Sequence, residues 1–403
     1  MSNSVPVDRL RFALDPKRLV STAVSLVEVP SPTGSAGDVS DRLQSILEAD
    51  GFTVERPAAG YEKAPAVVCR FDSGAPGPVV QFNGHLDTVH LPFVPPRVDN
   101  GRLYGSGASD MKGGIAAAVE ALRMLRETGL LTAGSILLTG HDLHEAPWGD
   151  GTQVDGLIDA GHVGDVVLLP EYNADILPVI GRGQAVLQAT ITRAGEPVHE
   201  VLGGIEQPNV INAGAMLISR LAEWDREVSV RTHPVAGRES VFVGHATGGQ
   251  MFNQSPNRFF IEGTRRWLPG SDVAATRAQY LALCEEVARA TGTTVEPVFQ
   301  FVRDSFQLDP EDRFVAAFQW AIRTAGGTDL PTGVKPFVDD GNTFCSRAGI
   351  PAITHGPRAT GAHTVNEVVP IAELERVAVV YALTALCYTS PEGPGETDQP
   401  PAE

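Results

Sequence analysis

The chain has 403 residues, 42% of them hydrophobic, and its 49 acidic against 31 basic side chains give a formal net charge of −18. That length exceeds one small domain and points to two, with enough apolar residues for sizeable cores. The acidity argues against nucleic acid or an anionic membrane surface as a partner.

In chain order, the first periodic stretch is 16–29, where Leu19, Ala23, Leu26 and Val27 share one side of a predicted helix. Pro30-Ser31-Pro32-Thr33-Gly34 ends it. A second helix is predicted over 38–49, with Leu43, Ile46 and Leu47 as its apolar stripe and Gly51 just past its end. Short apolar strands follow at 66–71 and 79–82, then a helix at 113–127, a strand at 134–139, a helix at 151–160 and a strand at 166–169. Such alternation implies an α/β fold, a sheet covered by helices, with sites at its strand ends.

From about Gly183 the texture changes. Residues 184–192 alternate like a half-exposed strand, 209–223 and 273–291 read as long helices, and 240–244 and 258–261 as further strands. This stretch, 183–299, reads as an α+β unit inserted into a discontinuous first domain of 1–182 and 300–389. The first texture returns with a helix at 313–324, an apolar segment at 350–354 and a helix at 371–386. The tail, 390–403, is rich in Pro, Gly and acids and is expected to be disordered.

Four cysteines, Cys69, Cys284, Cys345 and Cys387, show no CxxC spacing. They read as buried free thiols in a reducing compartment rather than a disulfide framework. No signal-peptide pattern opens the chain, and no apolar run approaches the ~20 residues of a membrane span. A cytoplasmic protein with no membrane partner is expected.

Chemistry concentrates in a few clusters. Gly84-His85-Leu86-Asp87-Thr88-Val89 reads as a strand ending in a histidine and a carboxylate. Gly105-Ser106-Gly107-Ala108-Ser109-Asp110-Met111-Lys112-Gly113-Gly114 is a glycine-rich turn that carries another carboxylate to a helix start. His141-Asp142-Leu143-His144-Glu145 follows one apolar strand and Glu171 another, and His363 lies after the apolar segment near Ile353. Taken singly these have plain structural readings: a hydrogen-bonded His85–Asp87 pair, or Asp110 as a helix cap. Together, parallel strands would bring their ends to one edge. There, two histidines and three carboxylates suit a pair of zinc ions bridged by one carboxylate.

On these motifs the chain, from Leu19 to Leu386, resembles the metallopeptidase family of carboxypeptidase G, acetylornithine deacetylase, succinyl-diaminopimelate desuccinylase and the aminoacylases. The resemblance implies a zinc-peptidase-like catalytic domain, a mixed sheet flanked by helices. It also makes the insert a lid through which a homodimer forms. It further implies that Asp110 bridges two divalent ions, with His85 and Glu171 completing one and His363 and a carboxylate near position 145 the other. Asp87 would orient His85. His199, in Gly195-Glu196-Pro197-Val198-His199, would stabilise the oxyanion in the partner's site, and Asn253 and Arg266 would hold a substrate carboxylate. Apart from the resemblance, these last three read as a surface histidine, a turn asparagine and a solvated arginine.

One stretch departs from the family pattern. Where the family has two consecutive glutamates, a general base and then a ligand, this chain has Leu143-His144-Glu145-Ala146. Counting forward from Asp110 makes His144 the base and Glu145 the ligand. Counting back from Gly151 makes Glu145 the base, puts Ala146 in the ligand's place and leaves one metal. Histidine suits base chemistry near neutral pH, since its free pKa is ~6.5. The expected activity is hydrolysis of an amide bond in a small carboxylate-bearing substrate, an N-acyl amino acid or dipeptide. Two Zn2+ are expected, with Co2+ or Mn2+ as substitutes. Two other readings stay open: hydrolysis of another C–N bond (carbamate, ureide or aromatic amine), and a non-catalytic small-ligand-binding homologue.

Overall fold

The computed structural model describes residues 4–146 and 149–391. The described chain divides into two compact units. The first holds the residues up to Val179, Leu308–Val334 and those from Asp339 on, and the second holds Ile180–Gln307 with Lys335–Val338.

The first unit is built on a six-stranded mixed sheet. Its order is Val54–Glu55, Val67–Asp72, Ser135–His141, Val79–His85, Val166–Leu169, Ala352–Thr354. The last four run parallel, and the first two are antiparallel additions at one side. Within the parallel set His85 pairs with His141. The polar ends of these strands therefore come out at the same level, the geometry that the strand-end histidines required. The parallel strands are almost wholly buried and correspondingly apolar.

Helices cover this sheet. Lys112–Thr128 is buried from Lys112 to Leu125 and ends at Gly129 in the left-handed conformation. It packs on Ile371–Thr389, which is also largely buried. Pro16–Val27 buries Leu19, Ala23, Leu26 and Val27, and Asp15 caps its start by accepting from the Lys17 and Arg18 N–H groups. Each fully buried leucine there contributes about 1.5–3 kcal/mol.

The second unit is a four-stranded antiparallel sheet in the order Ser240–Gly248, Arg258–Trp267, Gly183–Thr192, Thr294–Arg303. Gly183–Thr192 alternates buried and half-buried residues along its whole length. Its inward side chains Leu187, Ala189 and Ile191 join Leu217, Trp224, Tyr280 and Val287 of helices Val210–Val228 and Val273–Thr291 in one apolar core.

Several elements escape the sequence pattern. Helix Ser4–Ala13 buries only Val7 and Leu10 among its described apolar side chains, too few for a readable period. Strand Thr294–Arg303 contains Pro297, which argues against a strand unless it lies at an edge. It does lie at the edge of its sheet. The boundary expected between 299 and 300 falls inside this strand, and the unit runs on to Gln307. The tail expected to be disordered, 390–403, lies outside the described residues from position 392 onward. No described helix is long and apolar enough to cross a membrane.

Candidate metal centre

Five side chains of the first unit form a chain of contacts. His85 is fully buried at the end of its strand. Its Nδ1 lies 3.0 Å from the Asp87 carbonyl oxygen. With the proton on Nδ1, Nε2 carries the lone pair. That Nε2 is 3.1 Å from Asp110 Oδ1 and 3.5 Å from Glu171 Oε1. The other Asp110 oxygen is 3.3 Å from His363 Nε2, which in turn is 3.2 Å from Glu145 Oε2. The order is Glu171, His85, Asp110, His363, Glu145, with Asp110 offering a separate oxygen to each imidazole.

The loops that carry these groups are held by backbone hydrogen bonds. Asp110 does not cap the helix behind it, since Met111 holds the cap position and no side chain caps it. Instead the buried Glu367 carboxylate accepts from the N–H groups of Gly107, Ser109 and Asp110 and from the Ser109 hydroxyl. Glu367 thus ties the Asp110 turn to the segment that bears His363. His363 itself is in the left-handed region, φ +59°, a conformation histidine tolerates better than most side chains. Leu143 is there too, at φ +64°, which for a bulky residue costs on the order of 1–3 kcal/mol.

That strained turn is anchored by Asp87. Its Oδ2 accepts from the N–H groups of His144 (3.1 Å) and Glu145 (2.9 Å), and from the Thr33 hydroxyl. The resemblance implies that Asp87 orients His85. The His85 ring meets the Asp87 backbone carbonyl at 3.0 Å, whereas the nearer carboxylate oxygen is 3.6 Å away. The three loop donors all take Oδ2, and Oδ1 is the oxygen on the ring side.

His144 and Glu145 point to different partners. Glu145 turns to His363 as above, and Ala146 is exposed. The His144 ring stacks on His85 with centroids 4.0 Å apart and planes within 6° of parallel. Its Nε2 is 3.9 Å from Glu171 Oε1. Although His85, His144 and Glu171 lie close enough together to hold an ion, two parallel rings cannot both aim in-plane lone pairs at one ion. His144 stands beside such an ion rather than on it. Its Nδ1 is 3.1 Å from Asp340 Oδ2, a residue the sequence reading did not single out.

The electrostatics are those of an acidic cluster that wants cations. Burial and the Asp110 charge push the Glu171 carboxyl up to about 7. Burial opposes charge on His144, but Asp340 and Glu171 outweigh it and raise that ring to about 9. Hydrogen bonds that its ring donates to Asp110 and Glu145 raise half-exposed His363 to about 10. A raised native pKa stabilises below the unfolded value, and that stability is lost as pH climbs to the native one. For His144 the window runs from ~6.5 to about 9, and the buried ring alone is worth about 3 kcal/mol. The metal-free protein is thus expected to melt several degrees lower at pH 9 than at pH 6.5. Calorimetry after exhaustive chelation checks this, and a flat or rising Tm would contradict it.

The donor set fits a divalent ion pair. The N···O spacings of 3.1, 3.5, 3.3 and 3.2 Å bracket the roughly 3.3 Å between two ligand atoms ~2.05 Å from a tetrahedral ion. Three buried carboxylates this close are costly without a cation to neutralise them.

The remaining expected residues lie in the second unit. His199 is exposed, and its Nδ1 accepts from the Val201 N–H at 3.3 Å, which leaves the proton of the neutral ring on Nε2. The Asn253 amide is 3.0 Å from that Nε2, and with its oxygen turned to that side it accepts the ring proton. Arg266 sits apart from them in sequence, on strand Arg258–Trp267, paired with Ser240 and Gln184. Burial, with the Arg182 charge, holds its guanidinium below its ordinary value.

Comparison with known proteins identifies the family. Residues 81–386 match the model of peptidase family M20/M25/M40. A succinyl-diaminopimelate desuccinylase of Rhodospirillum centenum is 36% identical over 90% of this chain and 95% of its own length. An M20 metallo-carboxypeptidase of Sulfolobus solfataricus shares the fold, with a TM-score of 0.78 at 15% identity over 92% of this chain and 99% of that one. So does a dinuclear metal-binding M20 peptidase of Bacillus subtilis, with a TM-score of 0.64 at 18% identity over 93% and 98%. The chain belongs to peptidase family M20/M25/M40 and is a metal-dependent hydrolase of amide bonds.

Proposed function

We propose that the protein is a two-zinc cytoplasmic amidohydrolase acting on small N-acyl amino acids or dipeptides, with His144 as its general base. One observation carries this reading: Asp110 offers separate oxygens to His85 and His363, the contact pattern of a bridging carboxylate. His85, Asp110 and Glu171 would hold one ion, and Asp110, Glu145 and His363 the other. When bound, zinc polarises the scissile carbonyl and lowers the pKa of a coordinated water from 15.7 towards ~7.

The protein's own groups do the rest. His144 Nε2 takes the proton of the attacking water and passes it to the leaving nitrogen. His199, supplied by the partner chain of a homodimer formed through the second unit, turns its Nε2–H from Asn253 to the developing oxyanion, worth about 3–4 kcal/mol. Arg266 has no carboxylate partner among the described residues, although its side chain is half-buried. That suits capture of a substrate carboxylate, with Asn253 beside His199 as the second contact.

The test has two parts. Protein purified with zinc is expected to hold two ions per chain, and fewer than one would sink the metal assignment. N-succinyl-diaminopimelate, other N-acyl amino acids and dipeptides are then assayed beside carbamates and ureides. Turnover confined to the last two classes would overturn the amide reading.

A further inference from the structure

Asp340 opens the short helix Asp340–Thr343 and is 1% exposed. Its carboxylate is not needed to cap that helix. Asp339 does so, accepting from the Gly341 N–H at 2.8 Å and from the Thr354 hydroxyl at 2.6 Å. The Asp340 Oδ2 lies instead between two rings, 3.1 Å from His144 Nδ1 and 3.0 Å from His141 Nε2, with Asn83 Nδ2 at 3.5 Å. His141 is itself fixed, its Nδ1 3.0 Å from the Asp142 carbonyl. The Asn83 amide donates to the same carboxylate oxygen and so holds it independently of His144.

We infer that Asp340 is the positioning residue of the base, holding the His144 proton on Nδ1 so that the Nε2 lone pair faces the metal centre. The inference rests on the reading of His144 as the base. Where the family pattern uses one glutamate, this chain would use a carboxylate–imidazole pair. In the reaction, the water O–H bond breaks as its oxygen bonds to the acyl carbon. The proton goes to His144 Nε2 and then to the leaving nitrogen as the C–N bond breaks. Asp340 stays ionised throughout and keeps its hydrogen bond to Nδ1–H, the part a carboxylate plays behind a catalytic histidine. Stacking on His85 fixes the plane of the His144 ring, and Asp340 fixes its rotation within that plane. Together they leave Nε2 one direction to face.

The experiment compares D340N, H144Q, H144E and D340N/H144E in the zinc-loaded full-length protein, on whichever N-acyl amino acid is turned over. Tautomers are read separately by NMR of 15N-histidine in the zinc-loaded protein, with H144Q identifying the His144 signals. D340N is expected to lower kcat about 100-fold or more, with KM and zinc content held, and to abolish the Nδ1–H tautomer of His144. In the H144E background the same substitution is expected to cost at least tenfold less, because no imidazole is left to orient. Should D340N lose its fold or its zinc, D340E replaces it, judged by the same ratio between the two backgrounds. An unchanged tautomer, or an equal kcat loss in both backgrounds, would overturn the role of Asp340 while leaving His144 as the base. Full activity of H144Q would instead overturn the base assignment itself, and the pair with it.

Discussion

Asp110→Asn is expected to abolish turnover and to take bound zinc from two ions per chain to one or none. The substitution keeps the side chain's shape but removes its charge and turns one oxygen into an NH2 group that can only donate. Asp110 faces His85 with one oxygen and His363 with the other, so whichever side the amide nitrogen takes, one ion loses a ligand. The remaining carboxylates, Glu171 and Glu145, lie at opposite ends of the contact chain and cannot substitute. A fall in rate of at least about 10^3-fold, or about 4 kcal/mol, is expected. A D110N protein that binds two ions per chain and turns over normally would rule out the bridging role.

The parts of this site that were readable in the sequence are those fixed by local chain chemistry. His85 and Glu171 follow apolar runs, and buried parallel strands announce themselves by such runs. Asp110 follows glycines that only a tight turn explains. The parallel register then does what could only be assumed beforehand, bringing His85 and His141 level. What was not legible depends on long-range placement. Asp340 is 196 residues from His144, in an Asp339-Asp340-Gly341-Asn342 run that reads as an ordinary helix start. Glu367 reads as one more acid after His363, and its four hydrogen bonds to the Asp110 turn span some 257–260 residues. The choice between His144 and Glu145 was open for the same reason. One residue of register separates the two readings, and the contact that favours the gap-free one, Glu145 with His363, is again long-range.

Gly114→Ala is expected to be the most damaging single methyl group in the first unit. Gly114 lies in the first turn of helix Lys112–Thr128, where alanine is ordinarily the better helix former by about 1 kcal/mol. Here a Cβ would stand 1.9 Å from the Pro170 carbonyl oxygen and 2.9 Å from its carbon. That neighbour is backbone, so no side-chain rotation can relieve the clash. Overpacking of this kind typically costs about 1–3 kcal/mol, and more where the backbone must shift. The shift is the functional point. Pro170 immediately precedes Glu171, and on the helix side Gly114 lies four residues past Asp110, so parting the two elements separates two proposed ligands of one ion. G114A is thus expected to lose Tm and zinc together, with the loss concentrated in one of the two ions. Gly74→Ala provides the contrast, since a Cβ there meets nothing within 4 Å, although its φ of +83° still carries a modest strain. Calorimetry and metal titration of both variants check the argument. A G114A protein with the Tm and zinc content of the parent would show that the helix start and the Glu171 strand end are not held in the close contact described.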